Sequence, residues 1–168
     1  PDFPAVDHRD NRALQAALLR ERFGDAPIAL AVGWSMGALV AWQTATGPQR
    51  DRIRGIVTID MVPRVLNGDG WQHGLRADTH LYDVDIDLTK MRDDWRAFTR
   101  AYVPMVFASG MAIERRELID QMLELVADND LESMTNLWHT LVHADFVDTV
   151  QELDIPTLIT YGALSQIY

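Results

Sequence analysis

Three short apolar runs constrain the fold most. Ile28-Ala29-Leu30-Ala31-Val32, Ile56-Val57-Thr58-Ile59 and Ile155-Pro156-Thr157-Leu158-Ile159-Thr160-Tyr161 have strand length and carry no charge. A strand without a polar face is expected to be buried on both sides, as in a parallel sheet covered by helices. Between the first two runs, Ala38-Leu39-Val40-Ala41-Trp42 reads as a helix that ends near Gly47-Pro48. Parallel strands need such a crossover, so residues 28–60 read as a strand–helix–strand unit and the chain as an α/β protein. Upstream, Pro1 to Arg9 is loop-like. Ala13 to Phe23 reads as a helix, with Asp10 as its cap, Leu14, Ala17 and Leu18 on one face, and Gly24 as its stop.

The stretch from 63 to 90 has another character. It carries turn formers such as Asn67-Gly68-Asp69-Gly70 and the alternating acids Asp83, Asp85 and Asp87, expected in a solvated loop. From Met91 to Leu153 the pattern is helical. Ile119, Met122, Leu123 and Val126 recur at i, i+3, i+4 and i+7. Met134, Leu137, Trp138 and Leu141 repeat that spacing after Asp130, a candidate cap. The order is therefore sheet core, helical insertion, sheet core.

Charge and composition exclude several classes. In 168 residues, 15 Lys and Arg face 25 Asp and Glu, a formal net charge of −10. Such a surface repels phosphate, so no nucleic-acid partner is expected, and none on anionic lipid. There is no apolar run of about 18 residues, so no membrane-spanning helix is expected. The absence of cysteine removes disulfides, thiolate metal sites and a Cys nucleophile. No signal peptide is visible, and a cytoplasmic location is the expectation. No Gly-rich phosphate loop appears, and Asp60 alone does not make a dinucleotide site, so no cofactor is expected.

Gly33-Trp34-Ser35-Met36-Gly37 joins the first strand directly to the helix. A serine at the apex of a sharp strand-to-helix turn presents its hydroxyl above the sheet edge. Such a turn brings backbone and helix together, which calls for small residues at Gly33 and Gly37. The Met36 N–H then lies at the helix N-terminus, where it can hold an oxyanion, and Trp34 and Met36 flank the hydroxyl on the substrate side. The competing reading is an ordinary turn in which Ser35 caps the helix.

With this elbow the sequence resembles the α/β-hydrolase family. Gly33-Trp34-Ser35-Met36-Gly37-Ala38 is similar to its nucleophile elbow. Arg52-Ile53-Arg54-Gly55-Ile56-Val57 is similar to the approach to its next strand, and Ile155-Pro156-Thr157-Leu158 with Tyr161-Gly162 to the strand after its cap. The resemblance implies a mostly parallel sheet with an inserted helical cap: partial core 1–62, cap 63–152, returning core strand 153–168. It implies Ser35 as nucleophile and the Met36 amide as half of the oxyanion hole. The family's usual acid position holds Ser165 here; members that carry the acid one strand earlier point to Asp60 instead. Family order places the catalytic His one strand later, and the second oxyanion loop before residue 9. An internal piece of a longer protein, inactive alone, is therefore expected.

Five histidines are present. His8 reads as a loop residue, and neither His73 nor His80 stands where the base belongs. His139 and His143 share a helix face without the acid of a zinc-protease motif, so no metal site is expected. Trp71, Trp95, Phe98, Tyr102, Met105, Phe107 and Trp138 populate the insertion. They suit an apolar acyl or ring-bearing small molecule, although aromatics at helical spacing more often form core. The expected activity is hydrolysis of a carboxylic ester, thioester or lactone through an acyl-enzyme at Ser35. The alternatives are a C–C bond hydrolase of the same family, a non-catalytic small-ligand-binding relative, and an unrelated interaction domain.

Overall fold

A computed structural model describes residues 17–18, 20–68, 70–75 and 81–167, with 81–86 as backbone only. The expected cap Asp10, the face residue Leu14, and His8 and His80 lie outside these. The elements run β1 (Ala31–Trp34), α1 (Met36–Thr46), β2 (Ile56–Ile59), α2 (Leu81–Asp93), α3 (Trp95–Tyr102), α4 (Arg116–Val126), α5 (Leu131–Val142), α6 (Val147–Gln151) and β3 (Thr157–Thr160). Single 3₁₀ turns occupy Arg50–Arg52 and Val103–Val106. The chain divides into two compact units, Pro1–Pro63 with Asp145–Tyr161, and Arg64–Ala144 with Gly162–Tyr168.

The first unit is built on a three-stranded sheet of order β1-β2-β3. Both pairings are parallel, with Trp34 opposite Ile59 and Ile59 opposite Thr160. This is the α/β architecture that the apolar runs and the crossover predict. The first strand begins later than its apolar run: Ile28 makes only a bridge to Ile53, and Gly33 and Trp34 belong to β1. Burial on both faces holds for no strand: β2 buries Ile56 and Thr58 on one face, but Ile59 on the other is exposed. Val32 of β1 and Leu158 of β3 are more than half exposed. Register puts Val32, Val57 and Leu158 on one face of the sheet, and that face is the more open one.

Helix α1 buries Ala38, Ala41, Trp42 and Ala45, an i, i+3, i+4, i+7 stripe, with Leu39 and Gln43 also buried. Trp42 is 1% exposed and meets Phe146 at 6.3 Å between ring centroids, tilted by 41°. Helix α6 follows Phe146 within this unit.

The second unit is helical. Its first helix corrects the expected loop: α2 takes up the acid run. Val84, Leu88 and Met91 stand at i, i+4 and i+7, a helical spacing hidden by the shorter alternation, and Leu88 and Met91 are buried. Asp94 caps α3 by accepting from the Ala97 N–H at 2.8 Å. Trp95, Phe98 and Tyr102 stack along α3, and Tyr102 meets Trp138 of α5 edge-on at 6.0 Å. Trp95 Nε1 donates to the Val126 carbonyl at the end of α4. These aromatics tie α3, α4 and α5 together, as a core does. Asp130 caps α5 through the Ser133 N–H at 2.8 Å, as expected. Among the described residues, no helix is long and apolar enough to cross a membrane.

Candidate active site

The parallel register sets three residues side by side. Ser35, Asp60 and Tyr161 are the first residues beyond β1, β2 and β3, at the carboxyl end of the sheet. The ladder continues into them: the Ser35 N–H donates to the Ile59 carbonyl at 2.9 Å, and the Asp60 N–H to the Thr160 carbonyl at 2.8 Å. Neighbouring strands lie about 4.8 Å apart, so the three side chains start from adjacent points on one ledge. In open α/β sheets this edge is where ligands bind.

Two of the three are in an unusual backbone conformation. Ser35 has φ 51° and ψ −127°, and Asp60 has φ 52°. Among the described residues they are the only non-glycine positions with positive φ. Each such conformation costs on the order of 1–3 kcal/mol and persists only where the surroundings impose it.

At Ser35 the imposition comes from Gly33. A Cβ on Gly33 would stand 2.3 Å from the Gly37 carbonyl oxygen and 2.6 Å from the Ala38 Cα. The turn is closed by backbone pressed on backbone. Gly37 is different: a Cβ there meets nothing within 4 Å. The steric need expected of both glycines therefore holds at Gly33 alone.

Ser35 is exposed, and its hydroxyl makes no capping hydrogen bond to α1. The capping-serine reading is thereby corrected. Met36 opens α1, so its N–H belongs to the first turn, whose amides have no intrahelical acceptor and carry partial positive charge. Trp34 is exposed at the end of β1.

Tyr161 is the residue that the sequence reading left without a role. Its hydroxyl donates to the Met61 carbonyl at 2.9 Å, just past Asp60. Burial pushes its phenol above the ordinary value, and the charge of Asp60 adds to the effect. A register count would have found it, since Asp60 and Tyr161 each follow an apolar run at the same level.

His73, His139 and His143 all belong to the helical unit. His139 and His143 stack at 4.2 Å, with His143 Nδ1 hydrogen-bonded to the His139 carbonyl oxygen. Among the described residues, no three His, Asp or Glu side chains are grouped to hold a metal ion. The sheet unit has an apolar groove of about 530 Å³ along β1 and α1, lined by Phe23, Leu30, Val32 and Val40; Ser35 and Asp60 are not part of it.

A sequence model of the alpha/beta hydrolase family matches residues 1–162. None of the curated proteins compared matches the sequence. Among solved structures, a bromoperoxidase from Bacillus anthracis is similar at 17% identity and a TM-score of 0.82, covering 97% of this chain and 58% of that one. An esterase from Exiguobacterium antarcticum is similar at 18% identity and a TM-score of 0.82, covering 99% of this chain and 60% of that one. An enol-lactonase from Burkholderia xenovorans LB400 gives 18% identity, a TM-score of 0.69 and coverages of 90% and 54%. The chain spans less than two thirds of the length of each, and at these identities the likeness is one of fold.

Proposed function

The chain belongs to the α/β-hydrolase family, and we propose that it serves hydrolysis of a carboxylic ester, thioester or lactone, with Ser35 as nucleophile. The observation that carries this reading is the conformation of Ser35. An exposed hydroxyl stands on a positive-φ residue, at the carboxyl end of the sheet and at the start of a helix. Strain of this kind is what a strand-to-helix elbow stores when it presents a serine.

In the proposed reaction, Ser35 Oγ attacks the substrate carbonyl carbon and gives its proton to a general base. The carbonyl oxygen becomes an oxyanion, which the Met36 N–H and the positive end of α1 stabilise. Collapse expels the alkoxide or thiolate, protonated by the base, and leaves an acyl-enzyme that water then cleaves. The resemblance makes that base a histidine, with Asp60 as the acid that orients it. The described residues of the sheet unit include no histidine. We further propose the helical unit as the cap, and an apolar acyl or ring-bearing small molecule as substrate.

The test, on protein that includes the base histidine, is covalent labelling by a fluorophosphonate probe, with the labelled peptide located by mass spectrometry. Labelling at Ser35 that disappears in Ser35→Ala supports the proposal. Folded protein that carries the base histidine yet takes no label would leave the non-catalytic, ligand-binding reading in its place.

A further inference from the structure

We infer that Tyr161 is a positioning residue for Asp60: its hydroxyl, bonded to the Met61 carbonyl, fixes the backbone just past Asp60 and so aims the Asp60 carboxylate. The inference rests on Asp60 being the acid of the proposed reaction.

Asp60 has φ 52°, a conformation that an L-residue leaves when its neighbours allow it. Something must hold both flanking peptides. On the near side, the Ser35 N–H is bonded to the Ile59 carbonyl and the Asp60 N–H to the Thr160 carbonyl. These are ladder bonds, and they fix Asp60 only up to its own nitrogen. Beyond it the chain leaves the sheet toward Met61, which is 1% exposed. There the Tyr161 hydroxyl donates to the Met61 carbonyl at 2.9 Å. Thr160 and Tyr161 of one strand end thus grip Asp60 from both sides, one with its backbone and one with its side chain.

The phenol is also electrically close to the carboxylate, since the Asp60 charge helps to raise its titration. Tyr161 therefore feels Asp60 through space and holds it through the backbone. Removal of the hydroxyl leaves the ring and its packing but takes this bond from the Met61 carbonyl. Asp60 can then relax toward ordinary φ, which swings its carboxylate off the ledge.

Tyr161→Phe tests this with two readouts on protein that includes the base histidine. The first is hydrogen exchange at the Asp60 amide, which reports the grip whether or not there is activity. The second is the rate of Ser35 labelling by the fluorophosphonate. We expect Asp60 exchange to rise about three- to tenfold, the worth of one hydrogen bond, with the urea midpoint and the exchange of β2 amides little changed. Labelling should slow by about the same factor, and Tyr161→Phe should add nothing in an Asp60→Asn background. Unchanged exchange at Asp60 overturns the inference. So does labelling that slows in Asp60→Asn but not in Tyr161→Phe. Equal labelling of wild type and Asp60→Asn removes Asp60 as the acid, and absence of any label removes Ser35 as nucleophile. Either result takes the inference down by a pattern distinct from the first two.

Discussion

Gly33 and Gly37 frame the same serine, yet methyl groups added to them should act in opposite directions. At Gly33 the new Cβ would lie 2.3 Å from the Gly37 oxygen, 2.5 Å from its carbonyl carbon and 2.6 Å from the Ala38 Cα. All three are backbone atoms at the start of α1, so no side chain can rotate away. Relief requires the helix start to move by about 1 Å, judged against ordinary van der Waals separation. Helix α1 resists, because Ala38 and Ala45 are fully buried and Trp42 nearly so. Overpacking typically costs 1–3 kcal/mol, and a backbone-on-backbone clash belongs at the upper end, about 3 kcal/mol or more. At Gly37 the site is open and lies in the first turn of α1. Alanine there removes the helix penalty of glycine and stabilises by up to about 1 kcal/mol. Urea unfolding followed by tryptophan fluorescence measures both, with Trp42 as the buried reporter. The expected result is a sharply lower midpoint for Gly33→Ala and an equal or higher one for Gly37→Ala. Equal midpoints for Gly33→Ala and wild type would refute the account of how the turn is closed.

Three further outcomes follow from the same structure. Ser35→Gly relieves the positive φ, so it should raise stability by about 1 kcal/mol in a denaturant titration, while Ser35→Ala gives no such gain. Carbon-13 labelling of the tyrosines should show Tyr161 titrating above the ordinary value of about 10, where burial and the Asp60 charge both hold the proton on. Asp60→Asn should lower that titration only partway, because burial is the larger cause. Asp130 is held below its usual range by its hydrogen bonds to Ser133. A depressed carboxyl stabilises the fold above the unfolded value of about 4, and that stability is lost as pH falls through the lower folded value. Urea midpoints between pH 2 and 5 should therefore fall more steeply in wild type than in Asp130→Asn.

The sequence was legible where one residue type has one job. Ile56 to Ile59 gave β2, Asp130 gave a helix start, and Gly33 through Gly37 after an apolar run gave the turn at Ser35. It was illegible where neighbours decide. Composition makes Leu158 and Val32 strand-formers, but register puts both on the same open face of the sheet as Ile59, and so exposes them. The acids at 83, 85 and 87 suggested a loop because a period of two is conspicuous, while the helical spacing of Val84, Leu88 and Met91 spans a longer window. Tyr161 was overlooked because an aromatic at a strand end is ordinary packing until register places it beside Asp60. The sign of φ at Asp60 has no sequence signature, since aspartate takes either sign where the backbone demands it.

The strain at the sheet edge weighs more than the five-residue pattern around Ser35. A serine that merely caps a helix adopts an extended backbone and turns its hydroxyl onto an amide of the first turn. Ser35 does neither: its φ is 51° and its hydroxyl leaves the first turn uncapped. Glycine would occupy the same conformation at lower energy, at position 35 and at position 60 alike. Instead the chain places a hydroxyl and a carboxylate there, on adjacent strands whose register holds them level, with a phenol on the third. Stability alone would favour the opposite choice at both positions. Presentation of side chains at the carboxyl edge is what the strain secures, and this is why the conformation of Ser35 carries the proposed hydrolase reading.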